Sequence, residues 1–209
     1  MATVRATSRR RASAPLERTV HLDPVPHALA DRHRTDTPSR WYVLKTRIGA
    51  ERTVARVLDH AGFEHYLPLV PRFREEAFGT TQTEEPLFDS MLFLRGDDDA
   101  VRFAWSTHRV ATIHTIENQS RFDRQLRQIR AALDAGAVLA LGTPIRDGRA
   151  MQVIDGPYEG IEGFVESTID PEGLRLPLDD VRLTTVLDVE ASQLAPLDSN
   201  AFRHPGEAA

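Results

Sequence analysis

The chain has 209 residues, 41% hydrophobic and 27% charged, a globular balance that suits one or two domains. No run approaches the ~20 consecutive apolar residues of a membrane helix, which argues against an integral membrane protein. Cys is absent, so disulfides, thiol nucleophiles and cysteine-ligated zinc or iron–sulfur centres are excluded, in keeping with a reducing, cytoplasmic setting.

The net charge of −5 is unevenly spread. Residues 1–40 hold eight Arg against four acids, residues 41–141 thirteen Lys+Arg against fourteen acids, and residues 142–209 five Arg against thirteen acids. A basic head suits a polyanion. Phosphates repel an acidic final section, which favours a protein partner there. Met1–Ala14 has arginines with no apolar core behind them, so it does not read as a secretory signal. Residues 1–39 carry Arg9-Arg10-Arg11, several prolines and no apolar period, and they read as a disordered basic tail.

Ordered sequence opens at Trp41-Tyr42-Val43-Leu44, a strand pattern buried on both faces. A helix over Ala50–Ala61 follows, with Val54, Val57, Leu58 and Ala61 on one side and Gly62 at its end. His65–Val70 predicts a second strand, Arg72–Pro86 a polar, mobile hairpin or loop, and Met91–Leu94 a third strand. Asp97-Asp98-Asp99 suits a helix start, since carboxylates favour a helix N-terminus. Ala111–Ile116 predicts a fourth strand. A helix from Ser120 carries Phe122, Leu126, Ile129 and Leu133 as its apolar stripe, with Arg121, Arg124, Arg127 and Arg130 fanned over a solvated face. This order predicts an α+β sandwich, an antiparallel sheet with its helices on one face.

After a join at 137–148 the pattern turns all-β: Met151–Ile154, Gly163–Ser167, Leu174–Leu178 and Val181–Val189. Short strands with Gly and Pro punctuation predict a small five-stranded barrel over 149–198, with Pro177 marking an edge strand and 199–209 a disordered tail.

Met151 to Val165, with Asp155-Gly156-Pro157-Tyr158 as a tight turn and Gly163 in the next strand, resembles a KOW motif, an SH3-like barrel. Upstream, Trp41-Tyr42-Val43-Leu44-Lys45-Thr46, Gly49, Tyr66-Leu67-Pro68 and Pro86-Leu87-Phe88 resemble the NusG N-terminal (NGN) domain. NGN domain (40–136), linker, then KOW barrel is the order of the NusG family of transcription elongation and antitermination factors. The resemblance implies docking on the clamp of RNA polymerase, suppression of pausing or termination, and recruitment of Rho or a small-subunit ribosomal protein through the barrel. It implies no cofactor, and a monomer is expected.

The same resemblance places polymerase contact on an exposed apolar patch at the open side of the sheet: Phe88, Met91 and Phe93, then Leu87 and Tyr42. Packing competes, because Met91 and Phe93 share one strand face and Leu92 and Leu94 the other, and one pair must meet the helices. Arg109 falls where the family's domain approaches displaced non-template DNA, and nascent RNA is a further expected contact. Arg47, Arg52, Arg56 and His60 lie on or near the polar side of the first helix, suited to phosphate. In the barrel, Tyr158, Ile161 and Phe164 are candidates for partner contact, with Phe164 more suited to packing. The family usually has Pro and a small residue after the Phe, whereas this chain has Asp89-Ser90. That departure, the Arg-rich leader and the long polar hairpin favour a specialised paralogue acting on selected operons over the general factor. A ribosome-associated KOW protein is a weaker alternative.

No helical His-x-x-x-His pair, phosphate-binding Gly-x-x-x-x-Gly-Lys loop or Gly-x-Ser-x-Gly elbow is present, and no catalysis or metal site is expected. In some paralogues the C-terminal domain refolds as a helical hairpin. Here Gly156-Pro157, Gly160, Gly163, Pro171 and Pro177 oppose helix and predict a lasting β structure.

Overall fold

The computed structural model describes residues 39–76, 79–144, 148–166 and 173–197, so both tails expected to be disordered lie outside the described residues. Among the described residues, twelve strands and three α-helices follow in chain order. Strand β1 (Arg40–Thr46) leads into helix α1 (Glu51–His60), β2 (Glu64–Tyr66), β3 (Leu69–Glu76), β4 (Gly79–Pro86) and β5 (Met91–Gly96). Helix α2 (Asp98–Ser106), β6 (Val110–Thr115) and helix α3 (Gln119–Asp134) complete the first lobe. The rest is β: β7 (Ala140–Gly142), β8 (Arg149–Val153), β9 (Glu162–Val165), β10 (Leu174–Leu178), β11 (Leu183–Leu187) and β12 (Leu194–Pro196).

In the first lobe, β2, β5, β1 and β6 form one antiparallel sheet in that order. Strand alternation sends Tyr42, Leu44, Leu92 and Leu94 to one face, where they bury with Val54 and Leu58 of α1 and Ala100 and Ala104 of α2. Trp41, Val43, Met91 and Phe93 take the other face and bury with Phe122, Leu126, Ile129 and Ala132 of α3. The helices therefore flank the sheet on both faces, correcting the expectation of a single helical layer. α3 carries too large an apolar stripe to leave unburied, and only the second face was free to receive it.

Local chemistry fixes the helix starts. The Asp97 carboxylate caps α2 by accepting from the Asp99 and Ala100 amides. Asn118 caps α3 by accepting from Arg121 N at 3.0 Å. The Gln119 side chain then clamps β1, its Oε1 accepting from Trp41 N (2.6 Å) and its Nε2 donating to Trp41 O (2.9 Å). Trp41 Nε1 donates to Asp123 Oδ1 at 2.9 Å. Burial pushes the Asp123 carboxyl up, but hydrogen bonds from Trp41 and Arg127 and the charges of Arg127 and Arg95 outweigh it and leave it below the ordinary value.

The segment expected as one strand over His65–Val70 splits at Leu67-Pro68. The polar stretch beyond is a regular two-stranded ribbon, β3 paired with β4 from Leu69↔Pro86 to Glu76↔Gly79. Thr and Gln lend it strand character without an apolar face.

The C-terminal β region is one six-stranded sheet in the order β12-β8-β9-β10-β11-β7. It exceeds the expected five strands because Ala140–Gly142, inside the expected linker, pairs with Thr184–Val186 of β11. Arg175, 8% exposed, holds that segment by donating to Thr143 O and Oγ1, both at 3.3 Å, and faces Glu166 at 3.5 Å. Pro177 stands on a central strand, correcting its expected edge position. It pairs with Thr184 on β11, while the ladder to β9 holds only Arg175↔Phe164, so the missing N–H breaks no ladder there.

Gly163 is needed for close approach. A Cβ there would stand 2.6 Å from Arg175 O and 2.8 Å from Leu174 Cγ. Gly163→Ala is expected to destabilise the chain by about 1–3 kcal/mol through overpacking. Urea denaturation of the full chain checks this, and an unchanged midpoint would contradict it.

Candidate docking and nucleic-acid surfaces

The five residues expected at the docking patch do not form an exposed patch. Phe88 is 2% exposed, Leu87 4%, Met91 2% and Phe93 fully buried, all in the cluster under α3. Tyr42, 8% exposed, belongs to the opposite face. The expected open face is filled because α3 lies across it, and the same buried cluster continues into the C-terminal sheet through Met151, Val153, Ile161, Leu174, Leu176 and Leu178. Phe88 meets Phe93 edge-on at 5.9 Å, and Phe93 meets Phe122 edge-on at 5.6 Å. Tyr66 stacks on Phe93 at 6.4 Å and receives the Arg130 guanidinium at 4.3 Å from its ring centre. Burial pushes the Tyr66 phenol up to about 12 against the Arg130 charge.

The departing turn Asp89-Ser90 has its own support. Ser90 sits in the left-handed region at φ +54, a conformation that glycine adopts without strain. Glu51, only 7% exposed, holds it by accepting from Ser90 N at 2.6 Å, while Ser90 O accepts from Thr46 N at 2.9 Å. Asp89 is exposed. The bend thus survives on a buried carboxylate.

The basic candidates are all exposed. Arg47 N donates to Arg109 O at 2.8 Å, so the β1–α1 and α2–β6 loops bring these two arginines together. Arg52, Arg56 and His60 recur every four residues along α1, with Arg52 donating to Glu84 O of β4 at 2.5 Å. Two neighbours were missed by sequence reasoning: Ile48, 96% exposed beside Arg47, and His108, at φ +55 beside Arg109. A lone Ile after Arg carries no sequence signal for exposure. The surface gathers phosphate-binding groups and an apolar residue, enough for backbone contact.

In the C-terminal sheet, Ile161 is 4% exposed and belongs to the core. Phe164 is only half-buried, because Gly163 and Val165 take the inner face of β9 and leave Phe164 on the outer one. That reverses the expected order, in which Phe164 was the packing residue. Tyr158 is half-buried and packs on the cluster. Ile154, 52% exposed at the neighbouring turn, was missed. The turn itself follows its sequence: Gly156 is at φ +89 and donates to Asp155 Oδ1 at 2.9 Å. The 3-10 turn Ala191–Gln193 braces it, with Gln193 O accepting from Ile154 N at 2.8 Å. Among the described residues, no group of three or more His, Asp or Glu could hold a metal ion, and no helix is long and apolar enough to cross a membrane.

The family described as "Transcription termination factor nusG" matches residues 39–131, from β1 through most of α3. Among solved structures, one described as "Domain interaction in Thermotoga maritima NusG" aligns over 77% of this chain and 98% of its own, at 20% identity and TM-score 0.40. A chain of an MjSpt4:Spt5 complex aligns over 75% of this chain and 97% of its own, at 12% identity and TM-score 0.23. No curated protein matches the chain.

Proposed function

Because the chain belongs to the NusG family of transcription factors through residues 39–131, we propose that it is an elongation and antitermination factor that docks on the RNA polymerase clamp. The observation that carries this reading is the family domain itself, with the aromatic cluster of Phe88 and Phe93 at the motif Pro86-Leu87-Phe88. Phe88 leads the contact, with Leu87 and Met91 beside it. Phe93 and Tyr42 serve as packing beneath, because both lie between sheet and helices. The Arg47–Arg109 surface, extended by Arg52, Arg56 and His60, meets the displaced DNA strand or nascent RNA through phosphates. The C-terminal sheet acts as a KOW barrel that recruits Rho or a small-subunit ribosomal protein, with Tyr158, Phe164 and exposed Ile154 at the contact. The factor works in the cytoplasm as a monomer, without enzymatic activity.

Two observations favour a specialised paralogue over the general factor. The Asp89-Ser90 bend places a negative charge beside the docking motif, and the eight-pair ribbon β3–β4 extends the first lobe. Sequencing the nascent RNA bound to polymerase that carries the tagged chain tests this. RNA confined to a few operons is expected, and RNA drawn evenly from all transcription units would assign the general role instead.

A further inference from the structure

Among the described residues, the outer edge of β11 is paired only by β7, and β7 lies in the segment that joins the two lobes. The cover is thin. β7 has three residues, and Leu141 within it is 56% exposed. Apolar burial therefore contributes little to its seat. Two specific features hold it instead. The register sets Arg175 of β10 beside Val186 of β11, and Val186 beside Ala140 of β7. From there the Arg175 guanidinium crosses β11 and donates to Thr143 O and Oγ1, just past β7. Gly142 leaves its lane open. A Cβ at 142 would stand 2.5 Å from Val186 Cγ2 and 3.2 Å from Arg175 Nη1. Valine is stiff at χ1, so that methyl does not swing clear.

An open sheet edge is a template for another extended chain. Partner segments add to such edges with main-chain hydrogen bonds for affinity and side-chain sites for selectivity. The resident strand shows what the β11 edge selects. A replacing strand needs glycine at the place of Gly142, because any Cβ meets Val186 and Arg175. It needs a hydroxyl one residue later, as Thr143 supplies. Arg175 is 8% exposed, and a buried guanidinium that loses its acceptors is costly. The edge therefore favours being filled, either by β7 or by a strand that copies these two features.

We infer that β7 is a displaceable cover strand, which blocks the β11 edge until an extended segment of a protein partner, bearing Gly-Thr or Gly-Ser in register with Gly142-Thr143, takes its place in the sheet. The exchange stands on the sheet geometry; that the incoming segment belongs to the protein recruited by the C-terminal sheet rests on the function proposed above.

Amide exchange in the full chain, followed by nuclear magnetic resonance, reports the cover. Gly142→Ala raises exchange in β7 and at the β11 amides that face it at least about tenfold, the scale of overpacking, and leaves β8 and β9 unchanged. Adding Val186→Ala removes the clashing methyl and restores protection, which separates a lost cover from misfolding. The binding probe is a fluorescent peptide copying residues 137–143, Ala-Val-Leu-Ala-Leu-Gly-Thr, with a polyethylene glycol tail for solubility. It binds the Gly142→Ala chain at least about tenfold more tightly than the wild type, whose edge is occupied for most of the time. The same peptide with Ala for its Gly binds neither chain. Unchanged exchange in Gly142→Ala, or equal peptide affinity for the two chains, overturns the cover strand. If the peptide binds and Rho or small ribosomal subunits displace it, cover strand and recruitment both stand. If it binds and neither displaces it, the cover strand stands and its assignment to that partner fails.

Discussion

Phe93→Ala is expected to lower the free energy of unfolding by about 3–5 kcal/mol, the range for truncating a fully buried aromatic. Phe93 is fully buried, on the middle of β5, between Val43 of β1 and Tyr66 of β2 in the strand register. Phe88, Tyr66 and Phe122 pack on its ring, so truncation leaves a cavity lined by rigid aromatics that collapse poorly. An exposed docking residue would behave differently, since surface changes usually stay within about ±0.5 kcal/mol. Urea denaturation followed by far-ultraviolet circular dichroism measures this. A loss below about 1 kcal/mol would show that Phe93 is not the keystone of this layer.

The second large effect concerns polymerase. Phe88→Ala is expected to weaken binding to core polymerase by at least about 30-fold, the loss of a hot-spot aromatic worth about 2 kcal/mol or more. Phe88 is buried, so its truncation also disturbs the cluster. The comparison is therefore made between the full chain and Phe88→Ala after dichroism and urea denaturation show both chains folded. Titration of labelled chain onto core polymerase gives the ratio. Equal affinities would remove Phe88 from the interface.

Parts of both the first lobe and the C-terminal sheet were legible in the residues. The α1 stripe of Val54 and Leu58 is a true buried face, and Leu174–Leu178 is a strand with the bounds its pattern implied. The motif turn at Asp155-Gly156 adopts the backbone its glycine allows. Other features gave no local signal. β7 and β12 have three residues each, too few for a period to emerge. Periodicity shows that α3 buries a stripe but not which sheet face receives it, and that choice decides whether Phe88, Met91 and Phe93 lie open or covered. Gln125 and Gln128 read as surface, since only a distant partner, Asp179 or Glu162, makes them interfacial. The arginines of α3 divide in the same way: Arg130 covers Tyr66, Arg121 faces Asp179, and Arg127 pairs with Asp123 on its own helix.

The central claim is that this chain works on RNA polymerase, and co-purification tests it most directly. The tagged full chain, drawn from its native cells, is expected to bring down the polymerase subunits, and far more weakly with Phe88→Ala. Ribosomal subunits in place of polymerase, unaffected by Phe88→Ala, would contradict the account and make the chain a ribosome-associated binding protein.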